Sequence, residues 1–275
     1  MIKKMGWPVF LIFTISLAFV FIVGFIISIN ISKSSDVNLE ETILNVNKED
    51  DINNQNSEES DEKSLNKIDI SKIVIMGDSI GFGIGDEPNM GIGNRYKNLI
   101  DPDDLRGIEL INISVPGYES IDLVTQIGKQ ENLDNILGSD LIIISIGGND
   151  LNRLEDNGDL TFEIEYTDKL KAYKENLRYT IDKIREINQN VQLAIVGLYD
   201  PYRQEEPQNT RLLLQWNYET RLIVNSYSRI VYIPLYEKFE YHLDSYLSAD
   251  RFHPSKNGYQ IIAKEIYDIL NQEKE

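Results

Sequence analysis

The chain contains no cysteine. That removes disulfides, thiolate nucleophiles and cysteine-ligated metals from consideration. It says little about compartment, because a large core needs no disulfide staples. Histidine is nearly absent too, with two in 275 residues. Basic residues are outnumbered, 27 Lys and Arg against 45 Asp and Glu, for a formal charge of −18. Nucleic acid is a poor partner for such a chain, since phosphate binding needs clustered Lys and Arg. The length allows one domain of ordinary size plus extra segments.

Charge itself is missing from Trp7 to Ile29, where Leu, Ile, Val and Phe dominate. The run is about the length needed to cross a bilayer. A buried core helix fits poorly with the acidic, polar stretch that follows. A cleaved signal peptide is the closer rival, but its apolar region is shorter and ends in small residues. Ser28-Ile29-Asn30-Ile31 offers no such site. The reading preferred here is an uncleaved signal anchor over 7–29. Lys3 and Lys4 keep residues 1–6 cytoplasmic and place the remainder outside, in a single-pass cell-membrane protein. Residues 30–68 lack aromatics, and between Lys33 and Asp69 stand eleven acidic and four basic residues. Such a segment cannot bury enough surface to offset ordering. It is expected to be a flexible acidic linker, with the folded domain at 69–275.

Within that domain strand and helix signals alternate. Ile73-Val74-Ile75-Met76 reads as a short buried strand, broken by Gly77-Asp78 before Ser79. Further strands are predicted over Ile108–Ser114, Leu141–Ile146, Val191–Leu198 and Ile230–Ile233, the last stopped by Pro234. Helices are predicted over Asn94–Ile100, Ser120–Ile136, Asp168–Ile187, Leu212–Tyr227 and Ser255–Asn271. This order implies a five-stranded parallel sheet in a three-layer α/β/α sandwich of flavodoxin-like type. Functional loops then gather at the carboxyl ends of the strands.

Several polar signatures fall on those ends. A serine hydroxyl is a poor nucleophile until a base takes its proton. His242 has no obvious orienting carboxylate and reads as a surface or packing residue. His253 lies in Asp250-Arg251-Phe252-His253-Pro254, where Asp250 can turn back to one ring nitrogen and leave the other facing a serine. Acyl transfer also needs donors aimed at the developing oxyanion. Candidates are the backbone N–H groups of Ser79 and Gly117 and the side-chain amide of Asn149 in Gly147-Gly148-Asn149-Asp150. Taken singly, each is an ordinary turn or cap. Gly81-Phe82-Gly83-Ile84-Gly85-Asp86 resembles a nucleotide loop only superficially, because the third glycine of the dinucleotide pattern is Asp86 and no Gly-Lys-Ser/Thr follows. Its glycines more plainly let the backbone pack beside Ser79. Tyr199, Asp200, Tyr202 and Arg203 follow the fourth strand and can either face the site or form a solvated loop.

Together, Gly77-Asp78-Ser79-Ile80, Gly117, Gly147-Gly148-Asn149-Asp150 and Asp250-x-x-His253-Pro254 resemble the four blocks of the SGNH (GDSL-type) esterases and acyl-hydrolases. The resemblance spans about 70–270, with Ile80 where the family has leucine. Gly81 to Glu87 and Gly197-Leu198-Tyr199-Asp200-Pro201 look like a membrane-anchored bacterial branch. The resemblance implies Ser79 as nucleophile and oxyanion donor, Gly117 and Asn149 as further donors, His253 as general base and Asp250 as its orienting group. Asp78 and Asp150 are assigned to turn shaping, and Tyr199 and Asp200 to a possible substrate pocket. The implied activity is hydrolysis of acyl esters, lipase/acylhydrolase-like, without metal or cofactor, on a lipid or an acylated glycan. A carbohydrate O-deacetylase and a non-catalytic binding module of the same fold are the alternatives.

Overall fold

A computed structural model describes residues 69–152, 154, 160–202 and 210–271. The expected anchor at 7–29 and linker at 30–68 lie outside the described residues. Among the described residues no helix is long and apolar enough to cross a membrane.

The first strand, β1 (Lys72–Gly77), is buried along all but its first residue. It is followed by α1 (Ser79–Phe82), α2 (Gly91–Ile100) and β2 (Glu109–Asn112). Next come α3 (Ser120–Ile127), α4 (Gln130–Leu137), β3 (Leu141–Ser145) and α5 (Gly148–Asn152). The long α6 (Leu160–Ile187) precedes β4 (Gln192–Val196), α7 (Thr210–Val224) and β5 (Ile230–Ile233). The short α8 (Tyr236–Phe239) and α9 (Leu243–Tyr246) lead to α10 (Lys256–Leu270). The five strands are parallel, in the order β2-β1-β3-β4-β5. This is the doubly wound arrangement, with its switch point between β1 and β3.

Strand residues alternate between two cores. Val74 and Met76 face a cluster with α3, α4, α6 and α7, including Leu123, Ile136, Ile181 and Trp216. Ile73 and Ile75 face Ile92, Tyr96, Phe239 and Tyr259 on α2, α8 and α10. The sheet is therefore covered on both faces, which is why its central strands read as unbroken apolar runs.

Several boundaries differ from the sequence reading. The helix expected over Ser120–Ile136 is two helices, because the chain turns at Gly128-Lys129, with Lys129 extended and its N–H donating to the Gln126 carbonyl at 3.1 Å. Helix α2 starts at Gly91, not Asn94, since Asp86 accepts the N–H groups of Met90 and Gly91 at 2.9 and 2.8 Å. The second and fourth strands are shorter than expected. Short α8 and α9 gave no periodic signal, being little more than one turn each.

Candidate active site

The site begins with a close approach of two strands. Gly77 has φ +124°, and a Cβ there would lie 1.8 Å from the Ser145 carbonyl oxygen on β3. The Asp78 N–H donates to that carbonyl at 2.9 Å. The Asp78 side chain then caps α1, accepting from the N–H groups of Ile80 and Gly81 at 3.0 and 3.4 Å. Ser145 Oγ donates to the same carboxylate at 2.9 Å. Burial pushes the Asp78 carboxyl up to about 6, against those hydrogen bonds. Asp78 thus does more than shape a turn. It couples the end of β3 to the start of α1 and fixes Ser79 at the first helical position, where the backbone N–H has no intrahelical acceptor.

Ser79 is buried, and its Oγ lies 2.9 Å from His253 Nε2. His253 Nδ1 lies 2.7 Å from Asp250 Oδ2. The other carboxylate oxygen accepts from Ser248 Oγ at 2.8 Å and from the N–H groups of Phe252 and His253 at 2.9 Å each. Burial acts to raise the Asp250 carboxyl. The bond from the His253 ring, then the two backbone N–H groups and the Ser248 hydroxyl, outweigh it and hold the group well below the usual carboxylate range. An ionised carboxylate only accepts, so Nδ1 carries the proton and Nε2 is left to accept from the serine. The loop is closed by Ser248 N–H to His253 carbonyl at 2.8 Å and by left-handed Arg251, φ +61°. His242 is exposed, with its ring 5.1 Å from that of Tyr246.

Two further segments hold this loop. Tyr199 is buried and its hydroxyl donates to the Phe252 carbonyl at 2.7 Å. Gly85 has φ +87°, and a Cβ there would sit 2.9 Å from His253 Cβ and 2.7 Å from the Pro254 carbonyl oxygen. The glycine-rich stretch is therefore packing, part helix and part turn, that lets the histidine loop approach. Buried Asp86 and Arg95 pair at 2.6 Å, and Arg95 also donates to Gln260 on α10 at 3.2 Å.

Across the switch point, Asn149 Nδ2 donates to the Tyr118 carbonyl at 2.9 Å. A side-chain amide has two N–H donors, so one remains after this bond. Gly117, adjacent to Tyr118, has φ +85°, and a Cβ there would meet nothing within 4 Å. Glycine is needed there for its backbone conformation, not for a close approach. Asp150 reaches out of its own turn, accepting the N–H and Oγ of Ser120 at 2.9 and 2.5 Å. Burial raises its carboxyl against those bonds. These contacts tie the Gly117 loop to the Asn149 loop.

A cavity of about 440 Å³ adjoins this edge, with Tyr199 and Asp200 among its walls. Arg203 lies outside the described residues. Among the described residues no group of three or more His, Asp or Glu could hold a metal ion. Ser145, Ser120 and Ser248 escaped the sequence reading. Ser145 carried a signal, being the one polar residue inside the third apolar run; Ser120 and Ser248 carried none.

A model of the GDSL-like lipase/acylhydrolase family matches residues 75–261, more than half of the chain. The chain belongs to this family. It is accordingly a carboxylic ester hydrolase with the SGNH-like α/β fold. It is 28% identical over 210 residues to the protein YpmR of Bacillus subtilis, covering 73% of this chain and 82% of that one. It is 26% identical over 199 residues to the spore germination lipase LipC of Bacillus licheniformis, covering 70% and 92%. Among solved structures, the lipase Lip_vut3 from a goat rumen metagenome superposes with a TM-score of 0.65 at 23% identity, over 74% of this chain and 98% of that one. The acetylxylan esterase Axe2 of Geobacillus stearothermophilus gives 0.56 at 18% identity, over 74% and 95%. At these identities the two structures speak to the GDSL-family fold alone.

Proposed function

We propose that this GDSL-family hydrolase cleaves acyl esters with Ser79 as nucleophile, and that it does so at the outer face of the membrane, held there by residues 7–29. The observation that carries the chemistry is the unbroken hydrogen-bond series Asp250–His253–Ser79, at 2.7 and 2.9 Å. Ser79 Oγ attacks the ester carbonyl while its proton moves to His253 Nε2. Asp250 keeps the ring oriented and stabilises the imidazolium. The negative charge that develops on the carbonyl oxygen is met by the Ser79 and Gly117 backbone N–H groups and the second N–H of Asn149 Nδ2. Collapse of the tetrahedral intermediate breaks the ester C–O bond, and His253 returns the proton to the leaving alkoxide. Water, deprotonated by His253, then attacks the acyl-serine; the acid leaves and Ser79 is restored.

Hydrolysis of p-nitrophenyl esters by the wild type and Ser79→Ala tests the chemistry. The variant should lose on the order of 10⁴-fold or more in kcat. Full activity in Ser79→Ala would refute the mechanism. The membrane reading rests on the charge-free run and the two lysines before it. Protease added to intact cells should digest the domain, and protection until the membrane is opened would overturn that placement.

A further inference from the structure

The cavity beside Ser79 is walled mostly by apolar side chains. At about 440 Å³ it falls within the range of roughly 300–1,000 Å³ usual for small-molecule sites. Its near walls include Ile80, Gly148 and Phe252, the chain neighbours of Ser79, Asn149 and His253. Its far wall is the first turn of α7, where Leu212 and Leu213 are buried. Leu151 and Phe162 line it from α5 and α6. Strands β1, β3 and β4 are neighbours in the sheet, so a slot from the end of β1 to the loop after β4 crosses two inter-strand spacings, about 10 Å.

Two of the polar groups in these walls already have partners within the protein. Asp200 accepts from Tyr202 N–H at 3.1 Å and from Thr210 Oγ1 at 2.7 Å, using both carboxylate oxygens. The Tyr199 hydroxyl donates to the Phe252 carbonyl. Asn152 and Tyr202, also in the wall, are solvent-exposed residues. Ten of the fourteen lining residues have no polar side-chain atom, so a sugar ring would find few partners for its hydroxyls there, whereas an alkyl chain asks for none.

We propose that this slot holds the acyl chain of the substrate, with the carbonyl at Ser79 and the tail toward Leu212 and Leu213, and that the enzyme selects medium-length acyl groups such as octanoyl over acetyl. The proposal rests on the esterase reading above. Each methylene taken from water favours binding by about fourfold. Octanoyl carries six methylenes that acetyl lacks, so even partial burial gives a ratio of at least about 30.

The test is kcat/KM for p-nitrophenyl acetate, butyrate and octanoate with the wild type, Leu213→Trp and Leu151→Phe, and Ser79→Ala as the blank. The wild type should favour octanoate over acetate at least about 30-fold. Each bulky variant, from a different wall, should lower that ratio about tenfold or more. The ratio is read because a folding defect lowers both rates alike. Serine-dependent hydrolysis with acetate equal to or better than octanoate, or a ratio unmoved in both variants, overturns the proposal while the esterase reading stands. No serine-dependent hydrolysis of any ester overturns the esterase reading, and this proposal with it.

Discussion

Gly85 has no reactive group of its own, yet replacing it with alanine should damage catalysis. Its φ of +87° lies in the left-handed region, where a Cβ costs about 1–2 kcal/mol. The added methyl would also sit 2.9 Å from His253 Cβ and Ser248 Oγ and 2.7 Å from the Pro254 carbonyl oxygen. Ordinary contact for a Cβ begins near 3.4 Å, so the histidine loop must retreat by at least about 0.5 Å. Ser248 and His253 both bond Asp250, so the retreat moves base and orienting carboxylate together. A misplacement of about 1 Å can cost on the order of 10²-fold; half of that should lower kcat about tenfold. The control is Gly107→Ala, at φ +61° with nothing within 4 Å of the added Cβ. It too sits at positive φ, and it carries no clash. Denaturant unfolding should show both variants destabilised by about 1–2 kcal/mol, with Gly85→Ala losing more. Ester hydrolysis at saturating substrate should separate them, with kcat falling only in Gly85→Ala. If the two variants keep equal kcat, the histidine loop is not held by this approach.

Asn149→Ala removes the side-chain donor and should lower kcat roughly 10²–10³-fold with little change in KM; an equal loss confined to KM would assign it to ground-state binding. Arg95→Ala strands the buried Asp86 carboxylate and should cost about 3–5 kcal/mol in denaturant unfolding; a loss below about 1 kcal/mol would mean the pair behaves as a surface one. Asp78 is buried and its carboxyl is raised from 3.8 to about 6, so the folded protein binds that proton more tightly than the unfolded chain. Its contribution therefore favours folding at low pH and is lost as pH climbs from about 4 to 6, a swing of roughly 3 kcal/mol. Asp78→Asn has no such proton, so its stability relative to wild type should rise across that window. A difference constant from pH 4 to 7 would refute the assignment.

The fold was legible because its parallel strands are covered on both faces and so appear as apolar runs separated by amphipathic helices. Ile230–Ile233 was read to the residue, since Pro234 and the turn before it are local signals. What failed was also physical. The break at Gly128-Lys129 depends on bonds to Gln126, which periodicity does not register. The site residues were named by four short blocks, and the structure brings Ser79, His253 and Asp250 into one hydrogen-bonded series. The groups that hold them were harder to see. Tyr199 was given as a possible pocket residue; it lines the cavity, and its hydroxyl also donates to the Phe252 carbonyl, a bond to the histidine loop that no local pattern announces. Asp150 bonds Ser120, 30 positions away in the chain. No local pattern records a partner at that distance.

The Ser248–His253 loop assembles the proposed base and orienting carboxylate from six consecutive residues, whereas the serine hydrogen-bonded to it stands 174 positions earlier. Between them the chain lays down β2 through β5, and α10 follows the loop, its Tyr259 hydroxyl reaching back to the Ile84 carbonyl at 2.7 Å. During synthesis, the serine-bearing strand emerges long before anything that could activate its hydroxyl. If Ser79 is the nucleophile proposed above, a chain ending before His253 carries only an unactivated alcohol, and hydrolytic activity comes late, with the finished domain.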